Sequence, residues 1–228
     1  MTWSDKIIAY NKELHFSGKL PKGVSIMNPY AERAEAWKAS EAFYRKYYDD
    51  DSPRRLILGI NPGRHGAGAT GIPFTDPKRL AEVDIPWYGP VSHEPSSVYV
   101  YDMIGAFGGP AAFYKRYFIN SVSPLGYTIR NKSGKEVNFN YYDTPALFQK
   151  TLPFIHGNLE KLRSMGFDME TVFVLGVKNA RCLERINATG KYFGELVVLE
   201  HPRYVMQYRL RAKEDYIQKY LTALSDIA

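Results

Sequence analysis

The chain has 228 residues, 45% hydrophobic and 24% charged, a balance that suits one globular α/β domain over 1–228 and excludes an intrinsically disordered chain. Thirty lysines and arginines face 24 acids, and the resulting charge of +6 suits a polyanionic partner without requiring one. One cysteine, Cys182, excludes a disulfide framework and any four-cysteine iron–sulfur cluster, and no apolar run approaches the roughly 18 residues of a membrane span. The opening Met1-Thr2-Trp3-Ser4-Asp5-Lys6 is unlike a signal peptide, so a cytoplasmic protein is expected.

In chain order, helical patterns come first, over 2–15 and 29–49. In the second, Ala36, Ala39, Phe43 and Tyr47 form an apolar stripe among charges. Residues 54–60 read as a buried strand ending abruptly in Asn61-Pro62-Gly63. The segment 85–97, with Pro86, Pro90 and Pro95, is irregular and leads into a helix over 97–107. A strand is expected at 117–121 and a hairpin over 127–141 that turns at Asn131–Gly134. Thr144 and Pro145 supply an N-cap and a first helical position for a helix over 143–165. A strand at 171–176, a helix at 178–188, a strand at 195–200 and a helix at 205–226 complete the chain. Strands alternating with helices predict a three-layer α/β/α sandwich around a four-stranded, mainly parallel sheet.

Open sheets of this kind bind ligands beyond the carboxyl ends of their strands. Those ends carry Asn61-Pro62-Gly63, then Asn120-Ser121-Val122-Ser123-Pro124, then Gly176-Val177-Lys178-Asn179, and last His201-Pro202-Arg203. Each has an ordinary reading as well: asparagine before proline is a common turn residue, and an isolated histidine is usually structural. Thr70-Gly71-Ile72-Pro73-Phe74 adds a proline-stiffened aromatic within reach of Asn61. An amide and an aromatic ring side by side suit a site that orients water and stacks a flat base. Gly66-Ala67-Gly68-Ala69-Thr70-Gly71 matches G-x-G-x-x-G, but it starts well past the strand end and leads into Ile72-Pro73-Phe74 instead of an apolar helix. A nicotinamide site is therefore rejected, and these glycines are expected where backbone must approach a ligand closely. No cofactor is implied, and no metal-ligand spacing occurs.

Taken together, Gly59-Ile60-Asn61-Pro62-Gly63, Thr70-Gly71-Ile72-Pro73-Phe74, Asn120 with Ser123-Pro124-Leu125, Gly176-Val177 and His201-Pro202 resemble the uracil-DNA glycosylase superfamily. Within it, the pattern is most similar to the single-strand-selective monofunctional (SMUG-type) branch, over residues 54–203. The resemblance implies a monomeric, nucleoid-associated hydrolase of base excision repair that flips a damaged base out of DNA and cleaves its N-glycosidic bond. It assigns Asn61 to the attacking water, His201 to the leaving base, Phe74 to stacking and Asn120 to the edge of the base. At Gly63 a tyrosine would block the C5 position, so glycine implies entry of C5-modified uracils, with deaminated purines such as xanthine and hypoxanthine as further substrates.

The chain departs from the branch after His201-Pro202, where a wedge loop is replaced by Arg203-Tyr204-Val205-Met206-Gln207-Tyr208-Arg209. Arg203, Tyr204 or Met206 is expected to fill the gap left by the flipped base. Lys178 and Asn179 are expected to touch phosphate at a helix start, and Arg64 and His65 to touch the strand. Two other readings remain open on the same residues: a catalytically silent nucleic-acid-binding relative, and a small-molecule nucleotide enzyme on the same sheet.

Overall fold

The computed structural model describes residues 1–225. Its strands are β1 (Val24–Met27), β2 (Arg55–Gly59), β3 (Tyr117–Ser121), β4 (Gly126–Arg130), β5 (Glu136–Phe139), β6 (Asp168–Leu175) and β7 (Glu195–Leu199). The order β3-β2-β6-β7 makes a four-stranded sheet whose three pairings are all parallel. β2 reads Leu56-Ile57-Leu58 and β6 reads Val172-Phe173-Val174, all buried, as expected for central strands covered on both faces.

Alternation along β3 shows the two covering layers. Phe118 packs against Tyr44, Tyr48 and Phe167, and so faces the helix Ala34–Tyr47. Tyr117 points the other way, to Phe107 and Phe113, and its hydroxyl donates to the Leu224 carbonyl in the last helix, Lys213–Ser225. The start of β2 is anchored by Arg54, a fully buried cation. Its Nη1 and Nη2 each donate to Asp50 at 2.8 Å, its Nε donates to the Tyr114 carbonyl, and its guanidinium lies 4.8 Å over the Tyr48 ring. Hydrogen bonding from Arg54 holds the Asp50 carboxyl down at about 2. This anchor sits at the opposite end of the strand from Asn61.

The expected strands and most helices are present, with Thr144 capping Pro145–Met165. Two expected helices are broken. The one over 29–49 divides into Pro29–Glu32 and Ala34–Tyr47 at Arg33, whose φ of −138° and ψ of 108° are extended. The first turn is closed on itself by Asn28, whose side chain accepts from the Tyr30 N–H while its own N–H donates to Glu32. The segment 205–226 holds a helix that starts earlier, Pro202–Tyr208, then a 3-10 turn Leu210–Ala212 and the helix Lys213–Ser225. The early start follows from His201 capping its own successor turn, and residue 226 lies outside the described residues.

The hairpin turns where expected, with Gly134 at φ 75° donating to the Asn131 carbonyl. β1 adds to its other side, so a second, antiparallel sheet of order β1-β4-β5 lies beside the first. That sheet carries residues into the site.

Candidate active site

The carboxyl ends of β2, β3 and β7 open on a cleft of about 280 Å³. Gly59, Asn61, Gly63, Phe74, Glu94, Ser121, Asn138, Asn140, His201, Arg203, Tyr204 and Tyr208 contribute to its wall. Asn61 follows directly on β2, and its carboxamide is pinned from both sides. Its Oδ1 accepts the Tyr141 backbone N–H at 3.0 Å, and its Nδ2 donates to the Phe139 carbonyl at 3.3 Å. One partner can only donate and the other can only accept, so the orientation of the amide is fixed by the backbone just past β5. A second lone pair on Oδ1 remains to accept from a water.

His201 ends the loop after β7 and caps the helix Pro202–Tyr208. Its Nδ1 accepts the Arg203 N–H at 3.1 Å. Burial, with a smaller push from the Arg203 charge, lowers the imidazole to about 4. The ring is therefore neutral at pH 7, and with Nδ1 used as acceptor its proton resides on Nε2. His201 is thus a fixed, neutral donor. Phe74 lies 5.9 Å away, ring centroid to ring centroid. It holds φ 51°, a left-handed conformation rare for a bulky residue, and strain of that kind concentrates at functional sites. Gly59 lies beneath it, where an added Cβ would stand 3.4 Å from the ring, an ordinary contact.

Asn120 is not brought to the cleft. It sits on the Phe118 face of β3, buried against Tyr10, with its Oδ1 accepting the Ser121 N–H at 2.8 Å. The next residue, Ser121, points the opposite way into the cleft, and among the described residues its hydroxyl has no hydrogen-bond partner. A one-residue step along a strand exchanges the two faces, and this corrects the sequence expectation.

The space beside Gly63 also differs from the open side expected. A Cβ on Gly63 would stand 3.3 Å from Asn138 Nδ2 and 3.5 Å from Glu94 Oε1. Asn138 is held there by accepting the Arg64 N–H at 3.0 Å. The glycine-rich run approaches the protein itself, not a free ligand: a Cβ on Gly66 would overlap Glu94 Oε2 at 2.0 Å. Burial, then the neighbouring Asp76 charge, raise the Glu94 carboxyl to about 7, against a smaller opposing effect of Arg203. Sequence reading missed Glu94, Ser121, Asn138 and Tyr208.

Around the mouth, His65, Arg203 and Tyr204 are exposed and Arg64 is half-buried. Lys178, at the start of the helix Val177–Gly190, is exposed between Asp143 at 3.6 Å and the Tyr142 ring at 4.7 Å. Tyr204 and Tyr208 form a tilted aromatic pair with centroids 5.7 Å apart, Tyr208 being 61% exposed. Met206 faces an adjoining hollow with His65, His93 and Glu94 and lies outside the main cleft. Asn179 is a second correction. It is fully buried, its Nδ2 directed at the carbonyls of Leu58, Gly59 and Leu175 and its Oδ1 accepting from the Tyr141 hydroxyl. It cannot touch a strand of DNA. Among the described residues, no group of three or more His, Cys, Asp or Glu is placed to hold a metal ion, and no helix is long and apolar enough to cross a membrane.

Comparison with known proteins agrees with this geometry. The model of the Uracil DNA glycosylase superfamily matches residues 45–225. The crystal structure of wild-type SMUG2 from Pedobacter heparinus is 51% identical, superposes with a TM-score of 0.96, and aligns over 100% of this chain and 98% of its own. No curated protein matches the chain.

Proposed function

Given that the chain belongs to the uracil DNA glycosylase superfamily, we propose that it is a monofunctional glycosylase of base excision repair that hydrolyses the N-glycosidic bond of uracil in DNA. One observation carries this reading: Asn61, its amide fixed by the Tyr141 N–H and the Phe139 carbonyl, shares a cleft with a neutral His201 whose free ring nitrogen bears the proton.

The flipped base stacks on Phe74, and Ser121 supplies a hydroxyl to its edge. A carboxamide is no base at neutral pH, so Asn61 positions the water and does not deprotonate it in the ground state. The bond between C1′ and the base breaks first, its electron pair leaving with the base. His201 Nε2–H donates to the oxygen on which that charge accumulates, a fixed donor of the kind that contributes about 3 kcal/mol or more to such steps. Water then adds to the oxocarbenium carbon, and the proton it loses passes through solvent to the departed base anion, so that sugar and base both end neutral. Gly63 lies on the C5 side of the base. Arg64, His65, Lys178 and Arg203 meet phosphates, and Tyr204 with Tyr208 takes the place left by the extruded nucleotide.

The test is release of base from single- and double-stranded oligonucleotides carrying one uracil, followed as alkali-labile abasic sites. The expected result is strand scission at the uracil only. Binding without scission would leave a silent DNA-binding protein, and hydrolysis of free nucleosides with uracil in DNA untouched would leave a small-molecule enzyme.

A further inference from the structure

Glu94 is unused by the mechanism above, yet it forms part of the same wall. It follows the proline-rich loop and precedes the helix Pro95–Ala106. Its backbone N–H donates to Asp76 at 2.8 Å, which fixes where the side chain begins. The carboxyl then runs across the backbone of Gly63 and Gly66, where added Cβ atoms would stand 3.5 Å and 2.0 Å from its oxygens. Oε2 is shielded from water and has no hydrogen-bond partner. A buried, unpaired carboxyl oxygen is costly and calls for a reason. A structural carboxylate nearby shows the contrast: Asp76 is fully buried and accepts from the Arg79 N–H, the Glu94 N–H and the Ser97 hydroxyl, with His93 Nδ1 3.2 Å away.

We propose that Glu94 is a further catalytic residue that acts on deaminated purines, donating its proton to N7 of the flipped base. The proposal rests on the glycosylase reading, in which Gly63 marks the C5 side of a pyrimidine. On a purine attached through the same sugar carbon, that side presents N7, since C5 of pyrimidines and N7 of purines share the major-groove edge. Two groups stand beside Gly63, Asn138 Nδ2 at 3.3 Å and Glu94 Oε1 at 3.5 Å from an added Cβ, and of the two only the carboxyl can hand a proton to N7, since a carboxamide is no proton donor of useful acidity.

The step balances. The proton passes from Glu94 to N7, the bond between C1′ and N9 breaks with its electron pair on the purine, and the base leaves neutral. The water held by Asn61 adds to C1′, and the proton it loses returns to the Glu94 carboxylate through solvent. A carboxyl raised to about 7 by burial and by Asp76 still carries its proton over the range where this is useful. The other ionisable groups that face it are Arg203, exposed at the cleft mouth, and His65 and His93 in the adjoining hollow. A pyrimidine offers no basic nitrogen there, so its release does not depend on this proton.

The experiment compares single-turnover release of hypoxanthine and of uracil from otherwise identical oligonucleotides between pH 5.5 and 8.5, for the wild-type chain and Glu94→Gln. In the wild type, the ratio of hypoxanthine to uracil rates should fall as pH rises through the titration of Glu94. Glu94→Gln should lower that ratio by about tenfold or more, since positioned proton donors contribute on the order of 10²–10⁴, and should flatten its pH dependence. Release of uracil without any hypoxanthine, or a ratio indifferent to both pH and substitution, overturns the proposal. Absence of uracil release in the wild type overturns the glycosylase reading and this step with it. Should the glutamine variant misfold, the wild-type pH profile of the ratio decides alone.

Discussion

At the scale of single residues, the site depends on groups held in one protonation state or one orientation. His201 is neutral at pH 7 and Glu94 holds its proton up to about 7, and the two affect stability in opposite directions. In the unfolded chain His201 binds a proton below about 6.5, whereas in the fold it resists one down to about 4, so stability is lost as pH falls through that window. Glu94 keeps its proton up to about 7 in the fold but would release it near 4.5 when unfolded, so stability is lost as pH rises between those values. In the overlap of the two windows the slopes oppose each other. Glu94→Gln removes the second one. It should leave the protein more stable than wild type at pH 8 by about 1–2 kcal/mol, with no difference at pH 4, as measured by denaturant unfolding. Equal stability of the two proteins at pH 8 would show that Glu94 is ionised without penalty in the fold.

At the scale of elements, two sheets cooperate to hold one amide. The parallel sheet delivers Asn61 at the end of β2, and the backbone at and just past the end of β5 in the antiparallel sheet fixes its orientation through Phe139 and Tyr141. Asn179 ties the two together, from the carbonyls of Leu58 and Gly59 to the Tyr141 hydroxyl. Asn179→Ala should therefore cost about 2–3 kcal/mol of stability, by leaving buried groups unpaired, and should slow base release with little change in DNA affinity. Loss of affinity at unchanged stability would instead make Asn179 a DNA contact. The sequence made the parallel sheet legible because its strands are continuous apolar runs broken by Asn61-Pro62-Gly63 and His201-Pro202. It hid Ser121, because Asn120 and Ser121 are both small polar residues at a strand end and only pleat phase separates them. It hid Glu94 and Asn138 for another reason: one follows an aperiodic proline-rich loop and the other lies on a hairpin strand remote in sequence from the motifs. β1, four residues long, carries too little alternation to be read.

At the scale of the whole molecule, the arrangement separates rigidity from reactivity. Buried Arg54, paired with a half-buried Asp50, fixes the amino end of the sheet, and the carboxyl end carries the cleft with its mouth of Tyr204, Tyr208, Arg203 and Lys178. Net charge of +6 favours approach of DNA, while Asn61, Phe74 and Ser121 in the cleft are uncharged side chains. Such a site works by orientation and fixed dipoles, above all by holding the water on Asn61. The most direct measurement is single-turnover uracil release by Asn61→Ala, made beside its affinity for the same oligonucleotide. The expected rate is lower by about 10² or more, as for removal of a preorganised catalytic group, with affinity nearly unchanged. A variant that still releases uracil at the wild-type rate would contradict it.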